Sequence, residues 1–164
     1  MFHLTPETEE DEYEVEYLYD LAFAPGREAL SSYRLREDVA PVGPLCLLAR
    51  DEYGVLAGAI RYWPVVIGDV RHAALLLGPV AVHPTYQGEG LGGLLVCESL
   101  DRAAALEWQR VILIGDAPYY KKFGFTRAEG LAFPPPTNPE RLLFRGLVEG
   151  AWDGVGGVVG SVLG

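Results

Sequence analysis

Apolar residues Val15, Leu18 and Ala22 recur at the three-to-four-residue spacing of a helix, and Thr5-Pro6 or Thr8 supplies its cap. The first turn carries Glu9, Glu10 and Asp11, which favour the positive end of a helix. The acidic run from Glu7 to Glu16 reads as the solvated face of this helix. Pro25 and Gly26 end it, and residues 27–36 predict a second short helix. From Pro44 the rhythm becomes that of strands. Residues 45–50, a turn at 51–54 and residues 55–67 predict an antiparallel hairpin. Gly68-Asp69 then turns the chain into residues 73–82, too continuously apolar for one face to meet water.

A glycine-rich loop over 83–93 leads into a helix over 91–108, with Val96, Leu100, Ala103 and Ala104 as its apolar stripe. Residues 111–114 are wholly apolar, as a buried parallel strand requires. Strand, loop, helix and strand make a right-handed βαβ crossover joined to an antiparallel meander. Residues 117–123 predict a short helix stopped by Gly124, 133–137 a rigid proline loop and 141–148 a last paired strand. The expected fold class is α/β of the mixed α+β kind. A central mixed sheet, antiparallel in its N-terminal half, carries helices on both faces. No repeat or linker divides the chain, so residues 1–164 read as a single domain, with an N-terminal half over 1–72, a core over 73–125 and C-terminal strands over 126–164. The Gly/Val tail over 155–163 suits a last strand, a homodimer interface or a cover for the core edge.

Charge narrows the ligands. Thirteen basic against twenty-three acidic residues give a net charge of -10, so a diffuse basic surface for nucleic acid is excluded and an anion must be held by local backbone donors. Cys46 and Cys97 lie among apolar residues and read as two buried free thiols. The three histidines are scattered, so no metal site is expected. No apolar run is long enough to cross a bilayer and the N-terminus is acidic, so no membrane partner and a cytoplasmic location are expected.

The central motif is Tyr86-Gln87-Gly88-Glu89-Gly90-Leu91-Gly92-Gly93, between a buried strand and a helix. Glycines let backbone N–H groups approach a phosphate, and the helix N-terminus adds unpaired donors. A P-loop fails because Leu94 and Leu95 follow Gly93 where Lys and Ser/Thr are needed. Gly88-x-Gly90-x-x-Gly93 matches a dinucleotide fingerprint literally. Yet residues 83–87 intervene between strand and first glycine, and Glu107 precedes the next strand instead of closing it.

Gln87-x-x-Gly90-x-Gly92 after a Val-x-Val strand, followed by Tyr119-Tyr120-Lys121-Lys122-Phe123-Gly124-Phe125 directly after the second buried strand, resembles the GNAT superfamily of N-acetyltransferases. The resemblance spans residues 76–125. It implies acetyl-CoA as co-substrate in a cleft where the two central strands splay apart. Pantetheine would pair with Val80 and Val82 along the Val80-Ala81-Val82 stretch, and the N–H groups of Gln87, Gly88, Glu89, Gly90, Leu91, Gly92 and Gly93 would hold the pyrophosphate. It further implies Val82 N–H as oxyanion donor and Tyr120 as general acid, with Tyr119 a packing neighbour. The strand before the loop contains no acidic residue for a general base. Asp116 stands at the end of the next strand as a candidate base or acceptor ligand, or as a turn or helix cap.

The implied function is acetyl transfer to a primary amine on a small molecule, peptide or protein. The amine would sit against Arg61, Tyr62, Trp63 and Tyr33, and the negative charge favours a cationic acceptor. A non-catalytic acyl-CoA sensor would share the loop, and a nicotinamide-dependent oxidoreductase would share its glycine spacing. His83 is expected to shape its turn, His72 to be solvated in another, and Glu89 to face solvent.

Overall fold

The computed structural model describes residues 1–23 and 31–164. In chain order the strands are β1 (His3–Pro6), β2 (Leu47–Arg50), β3 (Leu56–Ile67), β4 (His72–Val82), β5 (Arg110–Ile114), β6 (Thr126–Arg127), β7 (Leu131–Ala132), β8 (Leu142–Gly146) and β9 (Gly157–Ser161). The helices are α1 (Glu12–Ala22), α2 (Ser31–Arg34), α3 (Leu91–Ala105) and α4 (Ala117–Tyr120). The spatial order is β1-β2-β3-β4-β5-β8-β6; β9 adds to β3, and β7 adds to β9. Hairpin connections make β2, β3 and β4 antiparallel, whereas α3 carries the chain over one face so that β5 joins β4 in parallel. The mixed α/β architecture is the one the periodicity predicts.

Local chemistry explains most element ends. Thr8 N–H donates to the Asp11 carboxylate at 2.9 Å, closing the short 3-10 turn that leads into α1. Val15, Leu18 and Tyr19 then pack on Leu48, Leu56, Ala59 and Ala81. The acidic run is more than a solvated face. Asp11 and Glu14 grip Arg50 at 3.0 and 2.8 Å, and Glu7 and Glu16 hold Arg61, so the run docks α1 onto β2 and β3. The proposed stop at Pro25-Gly26 and the start of the second helix at Arg27 lie outside the described residues; within them, α2 spans Ser31–Arg34.

Five expectations need correction. Thr5-Pro6, one of the two helix caps offered by the sequence, instead ends an edge strand, β1, paired with β2. Ala104 is exposed because the buried stripe of α3 runs through Leu91, Leu95, Val96, Ser99, Leu100 and Ala103, one position round the helix. The helix ends at Ala105, before Glu107 adopts φ +70°. Cys97 is exposed on the outer side of α3, while Cys46 is buried; both are free thiols. The fifth concerns His72, which is half-buried as the first residue of β4, opposite Ile67, instead of solvated in a turn.

Two contacts bring α3 close to the sheet. A Cβ on Gly58 would lie 3.0 Å from Leu95 Cδ1 and 3.2 Å from Leu91 Cδ2, so glycine there lets the first turns of α3 settle on β3. Ser99, fully buried, donates to Leu95 C=O at 2.7 Å and accepts from the Tyr62 hydroxyl at 2.8 Å. The apolar tail forms β9, which lies along the distal half of β3 with Val66 opposite Gly160 and Val159 in the core.

Buried acids of high pKa give the fold an alkaline limit. Burial pushes the Cys46 thiol up to about 11 and the Tyr120 phenol up to about 12, and raises Tyr19 and Tyr62 as well. In the unfolded chain a thiol ionises near 8.5 and a phenol near 10. The folded state therefore holds these protons where the unfolded chain releases them. This stability is complete below the unfolded values and is lost as pH rises toward the folded ones. A melting-temperature series should be flat from pH 7 to about 8.5 and fall steeply between about 9 and 12; a flat profile through pH 11 would contradict it.

Candidate active site

β4 outruns β5. Parallel pairing is confined to Leu75 with Val111 and Leu76 with Ile112, and no described strand pairs with that edge from Gly78 onward. The register against β3 shifts at this point: Tyr62 faces Leu77 but Ile60 faces Val80, so β4 carries one extra residue in a bulge at Gly78-Pro79. Carbonyls released from the ladder find side chains instead. Trp63 Nε1 donates to Gly78 O at 2.9 Å, and the Tyr19 hydroxyl donates to Pro79 O at 3.1 Å.

Beyond the bulge, His83 N–H donates to Ala57 O at 2.7 Å, which sets the phase of the antiparallel ladder. Alternation then turns the backbone of Ala81 toward β3 and the N–H and C=O groups of Val80 and Val82 into the gap beside β5. Gln87 Nε2 reaches back to Val82 O at 3.3 Å. Ala81 is directed away from the gap, its side chain buried against α1.

Next to this edge, residues 84–86 form one 3-10 turn, tied by Thr85 N–H to His83 Nδ1 at 3.1 Å, as the reading of His83 as a turn-former expects. Gly88 and Gly90 take φ +88° and +79°, left-handed values that L side chains resist, and Gly90 is the N-cap of α3. Leu94 N–H is the first to find an intrahelical carbonyl, Gly90 O, so the amides of Leu91, Gly92 and Gly93 stay available. The first turn of α3 contains no acidic residue. Glu89, just before it, is exposed, and Leu91 turns its side chain into the core.

A cavity of about 600 Å³ lies against these amides, walled by Val82, Tyr86, Gln87, Cys97, Tyr119 and Lys122 among others. Three of these were not predicted. Tyr86 donates its hydroxyl to Asp51 and meets Phe2 edge-on at 5.3 Å, contacts between segments too distant in sequence to foresee. Lys122 places its ammonium 4.2 Å from the Tyr119 ring centroid and brings a cation to the cavity; only its place in the Tyr-Tyr-Lys-Lys run hinted at it. Cys97 gave no signal.

The two tyrosines of α4 part company. The Tyr119 hydroxyl lies 3.4 Å from where a Gly92 Cβ would stand, at the amide end of the cavity. Tyr120 packs against Phe125, at 6.0 Å between centroids, and joins the core cluster that Val80 and Val82 also join. Gly115 makes room for the Tyr120 ring, since a Cβ there would come within 2.7 Å of Tyr120 Cε2. Among the described residues nothing accepts a hydrogen bond from the Tyr120 hydroxyl. Asp116 occupies the N-cap of α4 without using its side chain as a cap, and is exposed.

On the α1 face, a second cavity of about 330 Å³ is bounded by Glu12, Glu16, Tyr33, Arg36, Arg61 and Trp63 together with Glu37. Arg61, Trp63 and Tyr33 meet there as grouped from sequence. Tyr62 does not, because strand alternation sends it to the α3 face.

Among the described residues no group of His, Cys, Asp and Glu could hold a metal, and no helix is long and apolar enough to cross a membrane.

The free edge of β4 beyond its short parallel pairing with β5 runs toward a helix N-terminus with unpaired amides, an arrangement that suits an extended ligand with an anionic end. Comparison with known proteins gives the class. Residues 43–127 match the model of the acetyltransferase (GNAT) domain. The chain is 32% identical to the uncharacterized N-acetyltransferase YjhQ of Escherichia coli, over 82% of this chain and 75% of that protein. It is 30% identical to the uncharacterized N-acetyltransferase YhbS of Escherichia coli, over 88% of this chain and 87% of that protein. A crystal structure of Escherichia coli YhbS in complex with CoA superimposes with a TM-score of 0.85 at 28% identity, covering 98% of this chain and 89% of that one. A GNAT acetyltransferase from Brucella melitensis in complex with acetyl-CoA gives a TM-score of 0.66 at 28% identity, covering 93% and 99% of the two chains. The chain belongs to the GNAT acetyltransferases, and it is an N-acetyltransferase.

Proposed function

We propose that the protein transfers the acetyl group of acetyl-CoA to a primary amine by direct attack within a ternary complex. The observation that carries this reading is the free edge of β4, where Val80 and Val82 turn their backbone groups into the gap that continues to the amides of Gly88 to Gly93; the Gln87 N–H, expected in this set, is instead donated to Pro84 O at 3.4 Å. Pantetheine pairs along that edge as an added strand, and the pyrophosphate meets the α3 N-terminus. The complexes of the two relatives with CoA and acetyl-CoA support acetyl-CoA as co-substrate. Lys122 adds a cation beside the phosphates. Ala81 serves by spacing Val80 from Val82, since its own backbone is engaged with β3.

The amine lone pair attacks the thioester carbonyl carbon, and Val82 N–H donates to the oxygen that gains charge. The C–S bond then breaks, Tyr120 gives its proton to the departing thiolate, and the acylated nitrogen loses one proton to solvent or to Asp116. Phosphates held at the Gly92 end put Tyr119 beside them and leave Tyr120, farther along, for the thiolate. The phenol, pushed up to about 12 by burial, carries its proton at neutral pH and so has one to give.

Thermal shift separates the alternatives. Acetyl-CoA and CoA at a hundred times their Kd should each raise stability by about 2.7 kcal/mol, while NAD leaves it unchanged. Stabilisation by NAD alone would instead identify an oxidoreductase. Thiol release stimulated by amines separates the enzyme from an acyl-CoA sensor, which would bind and show no turnover.

A further inference from the structure

We propose that the cavity on the α1 face selects amines that also carry a carboxylate, and that Arg36 is the residue that reads it; this rests on the acetyl-transfer reading above. The two arginines of the cavity differ in a way that decides the matter. Arg61 is neutralised: Glu7 takes two of its N–H groups at 3.0 and 2.8 Å, and Glu16 takes another. Arg36 has no carboxylate partner among the described residues. Its guanidinium carbon lies 3.3 Å from the Tyr33 ring centroid and 4.6 Å from that of Trp63, and its one bond to backbone is a long 3.5 Å contact with Gly78 O.

Aromatic contact occupies a guanidinium's face and leaves its edge donors in plane. A half-buried cation with spare edge donors at the wall of a 330 Å³ cavity is short of an anion, and a carboxylate accepts two parallel bonds from that edge. The placement suits the chemistry. Gly78 belongs to the bulge at which β4 leaves β5, so a carboxylate on Arg36 sits next to the start of the thioester gap. Glu12 and Glu37, both exposed at the same cavity, pair with no cation among the described residues and favour the ammonium of a zwitterion. A small amino-acid-like amine meets both demands. A lysine side chain within a protein brings no carboxylate to Arg36.

Matched pairs test this: free amino acids and their carboxamides, each measured for equilibrium binding to the CoA-loaded protein and for acetylation. The acid of at least one pair should bind, and turn over by kcat/KM, about tenfold to a hundredfold better than its amide. Arg36→Gln should bring that ratio to near one, chiefly through KM. Arg36→Lys, which keeps the charge without the planar fork, should retain only part of it. A structural role of Arg36 alone would lower acid and amide together and leave the ratio unchanged. The inference is overturned if no acid binds better than its amide, if the preference survives in Arg36→Gln, or if only protein amines are acetylated. Acids that bind with the predicted preference but are never acetylated would uphold the recognition and remove the transfer reading instead.

Discussion

Tyr120→Phe is expected to bind acetyl-CoA as the wild type does and to turn over at least about tenfold more slowly. The ring loses nothing in packing. Its contacts with Tyr119, Phe123 and Phe125 use carbon, and no described group depends on the hydroxyl. Removing the oxygen therefore deletes the proton donor and little else. Tyr119→Phe, which alters the amide end of the cavity, should raise KM for acetyl-CoA and leave kcat within about twofold. The pH profile offers a second reading. With the phenol pushed up to about 12 by burial, the rate should climb as the acceptor amine loses its proton and should not fall again before strongly alkaline pH. Unchanged turnover in Tyr120→Phe, or a kcat loss confined to Tyr119→Phe, would remove Tyr120 from the acid role.

Gly92→Val should abolish useful affinity for acetyl-CoA, raising its Kd by about thirtyfold or more, with little change in melting temperature. The position tolerates no side chain without changing the cavity. Its Cβ alone would stand 3.4 Å from the Tyr119 hydroxyl and 3.6 Å from Val82 Cγ2, and the two further methyl groups of valine project where the phosphates must lie. One or two charge-assisted bonds lost from the amides of α3 account for a factor of this size. Calorimetric titration with CoA measures it. Gly43→Val is the control, since a Cβ at Gly43 meets nothing within 4 Å and the residue does not line the cavity. Wild-type affinity in Gly92→Val would place the phosphates elsewhere.

Both experiments probe residues that the sequence could name, for a physical reason. The loop and the α4 motif are local: glycines at left-handed positions, a helix start and a tyrosine four residues before Gly124 can be read from neighbours in the chain. The same holds for β2, β3, β4, α3 and β5, whose periods of two and of 3.6 follow from backbone geometry and state which face is apolar. Where the reading failed, the cause was not local. β1 and the two-residue strands β6 and β7 are too short to show a period and exist because an edge was waiting for them. Cys97 and Ala104 looked buried because apolar residues surround them in sequence, but a helix face is chosen by the sheet beneath it.

The sequence by itself determined the class of the protein: one acidic chain, a βαβ crossover carrying an anion loop, and a GNAT signature in the right order. Only the tertiary structure decided what stands around that loop. An extra residue in β4 faces Val80 and Val82 into the gap and Ala81 away from it, a matter of ladder phase that composition does not encode. Alternation along β3 gives Arg61 and Trp63 to one cavity and Tyr62 to the core. Ion pairing with Glu7 and Glu16 satisfies Arg61 and leaves Arg36 as the cavity's guanidinium with no carboxylate partner among the described residues. Which of two arginines is available to a ligand depends on partners from other elements, and packing sets that.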